Sequence, residues 1–427
     1  MNKRFNFITL CLAFLCYSIT SCNKEPKNMI DDNGMPAEMK LSLLFSKQGT
    51  RATSDSNAKD LETEIKTVDV IVYNTITGTQ VITSLDADDF TTTDEGTNVD
   101  NYIGVTNIQT TTGTKNIYVA INRPESVNIK DLTEAQLATS IFNISSELVA
   151  NTTTGFVIFS VEPVTKKITA GEANKVEVTV SRLASKVTIR KHASDFGITF
   201  GGFLKDIDFI TGNVNQKGFL LPDVSQKDPN YTESQYIATD YVTENSDAFV
   251  AINENTASIG ERNTKYITEN TSDYKKKKAL THVIVRMQYV PANSYSWDGT
   301  NLTPTANTAG TAASTFYSVL TNEGNIYFSN VTEANDYIAA KGLNVDVKVY
   351  TDGYAYYHIW LNQAGIWNII RNTYFDCTIK KIFALGNPGY VLDSEEGEEV
   401  PSSTDKIEVA INILHWTPIT EEIDLEP

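Results

Sequence analysis

The sequence predicts an all-β protein made of two tandem β-sandwich domains with one short helix. Runs of alternating or β-branched residues recur along the chain, and clusters of Gly, Asn, Asp, Ser or Thr bound each run. Only residues 131–142 combine an Asp start with apolar residues at helical spacing. The length of 427 residues exceeds what a single core usually serves. Many short strands at such intervals favour two-sheet sandwiches.

The strand pattern places a domain boundary after residue 191. A loop-rich segment, 192–202, follows a strong strand there, so the N-terminal sandwich is assigned to 52–191 and the C-terminal sandwich to 192–427. The predicted strands lie at 39–45, 66–74, 116–122, 175–180, 186–191, 282–290, 343–350, 354–362, 378–385 and 407–414.

Aromatic residues raise the question of sugar binding. Tyr354, Tyr356, His358 and Trp360 share one strand face, and we expect them to cover a core or an interface, with a glycan-stacking platform as the alternative. Trp297 lies in a predicted loop and is the better candidate for an exposed contact.

The N-terminus predicts export as a lipoprotein. Lys3 and Arg4 precede an apolar run that is too short to span a bilayer, which is typical of a signal peptide over 1–21. The run ends in Ile-Thr-Ser before Cys22, a pattern that resembles a lipoprotein signal-peptidase site. We therefore expect Cys22 to be the acylated mature N-terminus. The remaining cysteine of the mature body, Cys377, has the alternation of a buried strand residue, so no internal disulfide is expected.

Composition and motifs argue against nucleic-acid binding and catalysis. The formal net charge of −18 disfavours a phosphate backbone as partner. The four histidines are far apart, and zinc-protease, P-loop, dinucleotide and nucleophile-elbow motifs are absent from the sequence. Asp86, Asp88 and Asp89 resemble a calcium cluster but lack the Gly and the terminal Glu of a calcium loop. The sequence thus predicts no catalytic residues, no metal and no cofactor.

Both ends of the chain carry strands with one apolar face. Met39, Leu41, Leu43 and Phe45 alternate on one face near the N-terminus, and a Gly/Ser/Thr/Asp-rich segment containing Arg51 follows them. Such a segment is open to proteolysis. At the C-terminus, the residues Ile419, Ile423 and Leu425 recur on one face after Pro418, with Glu421 as the exception in that row.

These terminal strands suggest an exchange between molecules. A cut after Arg51 would allow the 39–45 strand to leave and open an apolar groove, which a neighbour's tail could fill by strand addition. Burying four such side chains stabilises by ~6–12 kcal/mol as an upper bound. The alternative is that both strands merely complete their own sandwich.

Several segments resemble the FimA/Mfa-type fimbrillins, which are type V pilus subunits of Bacteroidales. The resemblance spans most of the chain and is strongest from Arg371, Asn372 and Tyr374 to Gly386 and Pro388. Its other segments are the lipoprotein site, the first strand with the GTRA sequence after it, IKTVDVIVYN, SRLASKV and the closing INILHWTPITEEIDL.

The resemblance implies two transthyretin-like sandwiches and a subunit that polymerises by donor-strand exchange. It implies a lipidated propeptide over 22–51, cleavage between Arg51 and Ala52 by an arginine-specific protease, and a donor tail over 415–427. The expected partners are copies of the chain and related fimbrial subunits, the outer membrane through the lipid, and a host protein or glycan that the sequence does not identify. Lys47 and Lys59 are alternative cleavage sites.

Two other functions stay open at this point. One is a monomeric, glycan-binding surface lipoprotein, and the other is an accessory tip or anchor subunit with the same fold. An anchor subunit is expected to keep its first strand, whereas an Arg-containing loop together with a C-terminal extension favours a stalk role that supports adhesion or biofilm formation.

Overall fold

The computed structural model describes most of the chain and is dominated by β-strands. It describes residues 34–45, 62–92, 101–145, 149–151, 153–222, 227–230, 237–257, 262–271, 277–361, 368–391 and 406–415. Two helices occur in these ranges, and neither is long and apolar enough to cross a membrane. The prediction of an all-β fold is therefore confirmed.

The N-terminal part forms one ten-stranded sheet. Its order is β3-β2-β7-β11-β13-β1-β5-β4, with β12 paired to β7 and β6 paired to β1. The strands of this sheet are β1 (Pro36–Phe45), β2 (Thr67–Asn74), β3 (Gln80–Asp86), β4 (Phe90–Thr92), β5 (Asn101–Gly104), β6 (Ile108–Thr111), β7 (Gly113–Ile121), β11 (Ile158–Ser160), β12 (Val164–Ile168) and β13 (Asn174–Arg182). Buried side chains of β1, β2, β7, β11 and β13 belong to one hydrophobic cluster, so the sheet wraps around a single core.

Two sheets enclose a second core. The first sheet has the order β15-β29-β14-β21, in which β14 and β15 pair with successive parts of β29 and β30 pairs along its other edge. The second sheet has the order β20-β16-β22-β28. Their strands are β14 (Ala184–Lys191), β15 (Gly197–Ile198), β16 (Phe203–Gly212), β20 (Val250–Ala251), β21 (Thr264–Thr268), β22 (His282–Val290), β28 (Tyr354–Trp360), β29 (Thr373–Ile382) and β30 (Ile407–His415). Side chains from both sheets form one cluster, as expected for two packed layers.

A third, smaller sheet with its own core lies between β22 and β28 in the chain. Its strands are β23 (Asn293–Trp297), β24 (Leu302–Ala306), β25 (Phe316–Thr321), β26 (Gly324–Phe328) and β27 (Lys348–Tyr350). Helix α2 (Val331–Lys341) packs its Ala334 and Tyr337 into this core. The predicted strand at 343–350 is thus wrong over its first half, because only its last three residues pair, with β25.

Short elements complete the fold. Two-stranded pairs join β8 (Ile141–Asn143) to β18 (Lys217–Phe219), β9 (Ala150–Asn151) to β10 (Gly155–Phe156), and β17 (Val214–Asn215) to β19 (Tyr241–Val242). The predicted helix at 131–142 is much shorter, since helix α1 spans Glu134–Ala138. The hydroxyls of Thr139 and Ser140 bond to carbonyls of its last turn, and β8 then begins at Ile141.

Candidate functional site

The first strand lies inside the N-terminal sheet and not at its edge. Along one edge, β1 pairs in parallel with β13, from Met39 opposite Asn174 to Phe45 opposite Val180. Along its other edge, it pairs antiparallel with β5 and β6. A strand that left this position would therefore expose two ladders of unpaired backbone groups at once.

One face of β1 is buried in the first core, as the alternation predicts. Met39 and Leu41 are each 1% exposed, Leu43 is 0% exposed and Phe45 is 4% exposed. Ala37 precedes them in the same phase and is also buried. The space that these side chains occupy is an apolar groove between β13 and the β5/β6 edge, and we call it the β1 groove.

Strand β1 also connects parts of the sheet that do not otherwise pair. Among the strands that the structure describes, β5 pairs with β1 and β4, and β6 pairs with β1. We call β4, β5 and β6 the edge unit. The edge unit forms one wall of the β1 groove. Among the described strands, its backbone hydrogen bonds reach β13 and the rest of the sheet only through β1, which is the strand that fills the groove.

The approach of β5 to β1 is close enough to require glycine. A Cβ atom added at Gly104 would lie 2.9 Å from the carbonyl oxygen of Leu41. That distance is well inside van der Waals contact, so any side chain at position 104 would push the edge unit away from the strand in the groove.

The outward face of β1 carries a clamped carboxylate near the start of the strand. The side-chain amide of Asn107 donates to one oxygen of Glu38 at 2.7 Å, and that of Gln109 donates to the other oxygen at 2.7 Å. Asn174 donates to the backbone carbonyl of Glu38 at 2.8 Å from the opposite side. The edge unit thus holds β1 by side chains as well as by its ladder.

The C-terminal end of β1 meets a buried polar cluster. The guanidinium carbon of Arg182 lies 5.1 Å from the centre of the Phe45 ring, and this arginine is 0% exposed. Its Nε donates to the backbone carbonyl of Glu62 at 2.7 Å, and its Nη1 donates to Asn372 at 3.0 Å. Lys186 lies near the same cluster, with its ammonium 5.2 Å from the centre of the Tyr374 ring. The SRLASKV and RNTY segments, far apart in sequence, therefore meet here.

Several predicted site residues lie outside the described residues. These are the acylation candidate Cys22, the cleavage pair Arg51 and Ala52, and the donor residues Ile419, Ile423 and Leu425. Residues 46–61, which include Arg51, connect Phe45 at the end of β1 to Glu62 in the polar cluster. Strand β30 ends at His415, immediately before the predicted donor residues.

One interpretation of aromatic residues is wrong, and another is confirmed only in part. Trp297 lies on β23 and is only 9% exposed, because it packs against Tyr337 of helix α2 with ring centres 5.2 Å apart. In β28, the residues that face the second core are Ala355, Tyr357 and Ile359. Pairing with β22 sets this phase, since these residues lie opposite core residues of that strand.

The opposite face of β28 carries the four aromatic residues of the prediction, and the two tyrosines among them join a surface cluster. The guanidinium of Arg286 lies 4.4 Å from the ring centre of Tyr354, and Asp208 accepts a 2.5 Å bond from the same arginine. The rings of Tyr356 and Tyr390 are 5.5 Å apart.

The other half of this face of β28 is buried, because the rings of His358 and Trp360 pack beside His282 with centres 5.1 and 4.5 Å from it. The expected covering role is therefore confirmed for these two residues, whereas Tyr354 and Tyr356 lie away from the second core.

Among the described residues, no three His, Cys, Asp or Glu side chains come together in a way that could hold a metal ion. Asp86 and Asp89 cap the 3-10 turn Ala87–Asp89, and Asp89 also accepts a bond from Thr106 at 2.5 Å. Cys377 is 0% exposed with its thiol free, and burial raises the pKa of that thiol. These groups are therefore placed for structural roles.

Burial also keeps two histidines neutral. Burial lowers the pKa of His282 to about 4 and that of His358 to about 2. Their ring centres are 5.1 Å apart on the adjacent strands β22 and β28. The Nδ1 atom of His282 lies 3.1 Å from the carbonyl oxygen of Leu280.

Comparison with solved structures shows where this fold occurs. A fimbrilin, FimA, of Porphyromonas gingivalis is similar with a TM-score of 0.50 at 11% identity, covering 90% of this chain and 99% of that chain. A protein of Parabacteroides distasonis to which a cell-adhesion role is ascribed gives a TM-score of 0.50 at 12% identity, with the same coverage of 90% and 99%. At these identities the likeness shows the fold. A comparison with curated proteins finds no match.

Two protein-family models match this chain, one in its N-terminal half and one near its C-terminus. The family described as the major fimbrial subunit protein FimA matches residues 37–194. The family described as the major fimbrial subunit protein type IV, fimbrillin, C-terminal, matches residues 348–422. The first match begins within β1, and together the two cover more than half of the chain. The protein therefore belongs to the FimA-type fimbrillin family of cell-surface fimbrial subunits, whose role is structural.

Proposed function

We propose that this protein is a stalk subunit that polymerises by donor-strand exchange after proteolytic removal of its first strand. The observation that carries the proposal is the position of β1, which fills an apolar groove between two ladders in the interior of its sheet. Removing a strand from an interior position creates a site that only another strand of similar pattern can satisfy.

The proposed cleavage after Arg51 fits this arrangement. Arg51 lies in the segment between Phe45, the last residue of β1, and Glu62 of the polar cluster. A cut there leaves β1 with no covalent connection to the rest of the sheet. Its two ladders, the side-chain hydrogen bonds to Glu38 and its buried face then hold it in place without a covalent bond. Burial of the apolar face contributes ~6–12 kcal/mol as an upper bound.

The proposed occupant of the vacated groove is the tail of another copy. The tail follows β30, and the alternation of its sequence predicts that Ile419, Ile423 and Leu425 share one face. We further propose that the mature body consists of two transthyretin-like domains, which the sequence divides into 52–191 and 192–427. Strand β14, at the end of the first segment, pairs with β21 and β29 and therefore belongs to the second sandwich. Export as a lipoprotein acylated at Cys22 would bring the subunit to the outer membrane before an arginine-specific protease acts, and the resulting fimbria would support adhesion or biofilm formation.

The N-terminus of the native protein tests the processing step. We expect mass spectrometry of material from the cell surface to find Ala52 first in SDS-resistant polymers. The variant Arg51→Ala should stay unprocessed and monomeric, whereas the matched variant Lys59→Ala should assemble normally. Acylated Cys22 at the start of a monomer would instead indicate an anchor subunit or a monomeric lipoprotein.

Deletion of residues 417–427 tests the donor step separately. The shortened protein should fold and be processed, yet it should form no polymers. Unchanged assembly of the shortened protein would show that this tail does not donate the strand.

A further inference from the structure

We propose that Asn107 and Gln109 form a carboxylate-binding site at the rim of the β1 groove, and that Glu422 of a second copy enters this site and sets the register of the incoming strand. This inference rests on the proposed donor-strand function and adds to it the residue pair that aligns donor and groove.

The site is visible in the way it holds Glu38. Two neutral amides each donate to a different oxygen of this carboxylate, both at 2.7 Å. Hydrogen bonds to an ionised acceptor are shorter and stronger than neutral ones, and two donors fix the orientation of the carboxylate plane. Gln109 lies directly opposite Glu38 in the antiparallel pairing of β1 with β6.

The amide donors remain on the protein when β1 leaves. Gln109 is on β6, and the neighbouring Ile108 is 1% exposed and anchors that strand in the first core. The vacated groove therefore keeps two amide donors beside its apolar floor. Its complement is a strand with a carboxylate on its outward face, followed immediately by inward apolar residues.

The C-terminal tail has this pattern. Residues 421–427 read EEIDLEP, so acidic residues alternate with Ile423 and Leu425. A donor that runs in the direction of β1 places Ile423 at the position of Met39 and Leu425 at that of Leu41 when Glu422 replaces Glu38. Both of these positions are 1% exposed in β1, so both apolar side chains are fully buried in this register.

Neighbouring registers fit worse. With Asp424 in the clamp, Ile423 would take the place of the smaller Ala37, and Pro427, which has no N–H for the ladder, would take that of Leu41 in the middle of the strand. In the Glu422 register, Pro427 takes the place of Leu43, nearer the end of the strand. With Glu426 in the clamp, Leu425 would take the place of the smaller Ala37 and Pro427 that of Met39, and the places of Leu41, Leu43 and Phe45 would stay empty. In the Glu422 register, Glu421 replaces Ala37, which is the second residue of β1 and is 6% exposed. The charge that interrupts the apolar row of the tail then lies at the first inward position of the groove, two residues after the exposed Met35.

The test uses the full-length protein, assembled by limited proteolysis, and measures the half-life of its polymers in SDS at fixed temperature. Glu422→Gln should shorten this half-life about three- to tenfold, as expected for loss of one charge-assisted interaction. The matched variant Glu426→Gln removes the same charge from the same tail and should change the half-life less than about twofold.

A double-mutant comparison assigns the effect to the clamp. In a protein that carries Asn107→Leu and Gln109→Leu, the Glu422→Gln change should have no further effect on polymer half-life. The register would be overturned if Glu422→Gln and Glu426→Gln shortened the half-life equally. It would also be overturned if the effect of Glu422→Gln persisted in the protein without the two amides. Either result would leave strand donation supported. A processed wild-type protein that forms no polymers would instead overturn the proposed function itself.

Discussion

The ammonium of Lys186 lies 3.1 Å from Oε1 of Glu62, and both side chains are fully buried. Tyr266 donates to the same oxygen at 2.7 Å. Glu62 begins the body after the proposed cleavage segment, whereas Lys186 lies on β14 in the second sheet. The pair thus ties the N-terminal sheet to the C-terminal sandwich beside the end of the β1 groove.

Removing one partner of this pair should be costly. Lys186→Met leaves the Glu62 carboxylate in a buried site without this ammonium, and such changes cost about 3–5 kcal/mol of unfolding free energy. Urea unfolding at neutral pH measures the effect. The control is Lys191→Met on the same strand, whose partner Glu254 is 70% exposed, and which should cost less than about 1 kcal/mol. Equal losses in the two variants would contradict the role of burial.

The buried histidines should make the protein less stable in mild acid. Burial lowers the pKa of His282 to about 4, so below its ordinary value of about 6.5 the unfolded chain binds a proton that the native protein does not. Stability is therefore lost as pH falls from about 6.5 to about 4, by ~3 kcal/mol for this group.

The variant His282→Asn isolates this effect, because an Asn amide can still donate to the Leu280 carbonyl. As pH falls from 7 to 4, the unfolding free energy of the variant minus that of the wild type should rise. Between pH 7 and pH 8 this difference should stay constant. Burial raises the pKa of Asp228 to about 6, which contributes with the opposite sign over the same range. The difference between variant and wild type, and not the wild-type curve alone, therefore carries the test; a constant difference down to pH 4 would contradict it.

Gly104 should limit what the β1 groove can hold. Its missing side chain leaves room for the Leu41 carbonyl, which an added Cβ would approach to 2.9 Å. We expect Gly104→Ala to destabilise the unprocessed protein by about 1–3 kcal/mol in thermal unfolding. Gly310→Ala is the matched control, since its Cβ would meet only the Thr308 hydroxyl at 3.7 Å, and it should cost less than about 0.5 kcal/mol. A neutral Gly104→Ala would show that the edge unit can shift freely.

Much of this architecture could be predicted, because the alternation of apolar and polar residues within a short segment indicates a strand and its buried face. The apolar face of β1 and the burial of Cys377 follow from period-two patterns alone. Helix α2 was missed although its signals are present, with Asn330 as the N-cap and Gly342 in the left-handed conformation at its end. The predicted helix at 131–142 failed for the opposite reason, because Thr139 and Ser140 end a helix whose apolar spacing continues past them.

The groove itself could not be predicted, because it depends on which strands become neighbours. Nothing in the residues of β1 indicates that β13 pairs along one edge and the edge unit along the other. The face that β28 turns to the second core is a further example. Its alternation is clear, but pairing with β22 decides which phase meets the core. Likewise, Glu38 reads as an ordinary surface residue until β6 brings Gln109 opposite to it.

The attachment of the edge unit predicts how the groove behaves when it is empty. Among the described strands, β5 and β6 join the ladder of the sheet only through β1, whereas β7 pairs with β2, β11 and β12. Processing that releases β1 should therefore expose amides of residues 102–104 and 108–111 to exchange, because local opening follows the loss of ladder partners. Amides of residues 117–121 should keep their protection.

Hydrogen–deuterium exchange of the unprocessed, the processed and the polymerised protein tests this expectation. Protection at 102–104 and 108–111 should fall on release of β1 and return on polymerisation, when a donor strand restores both ladders. The tail-deleted protein is the matched control, since after processing it should lose protection at these amides and never regain it. If 102–104 and 108–111 stay protected after β1 has left, the edge unit must close onto β13 by itself, and a donor strand would then have to displace it.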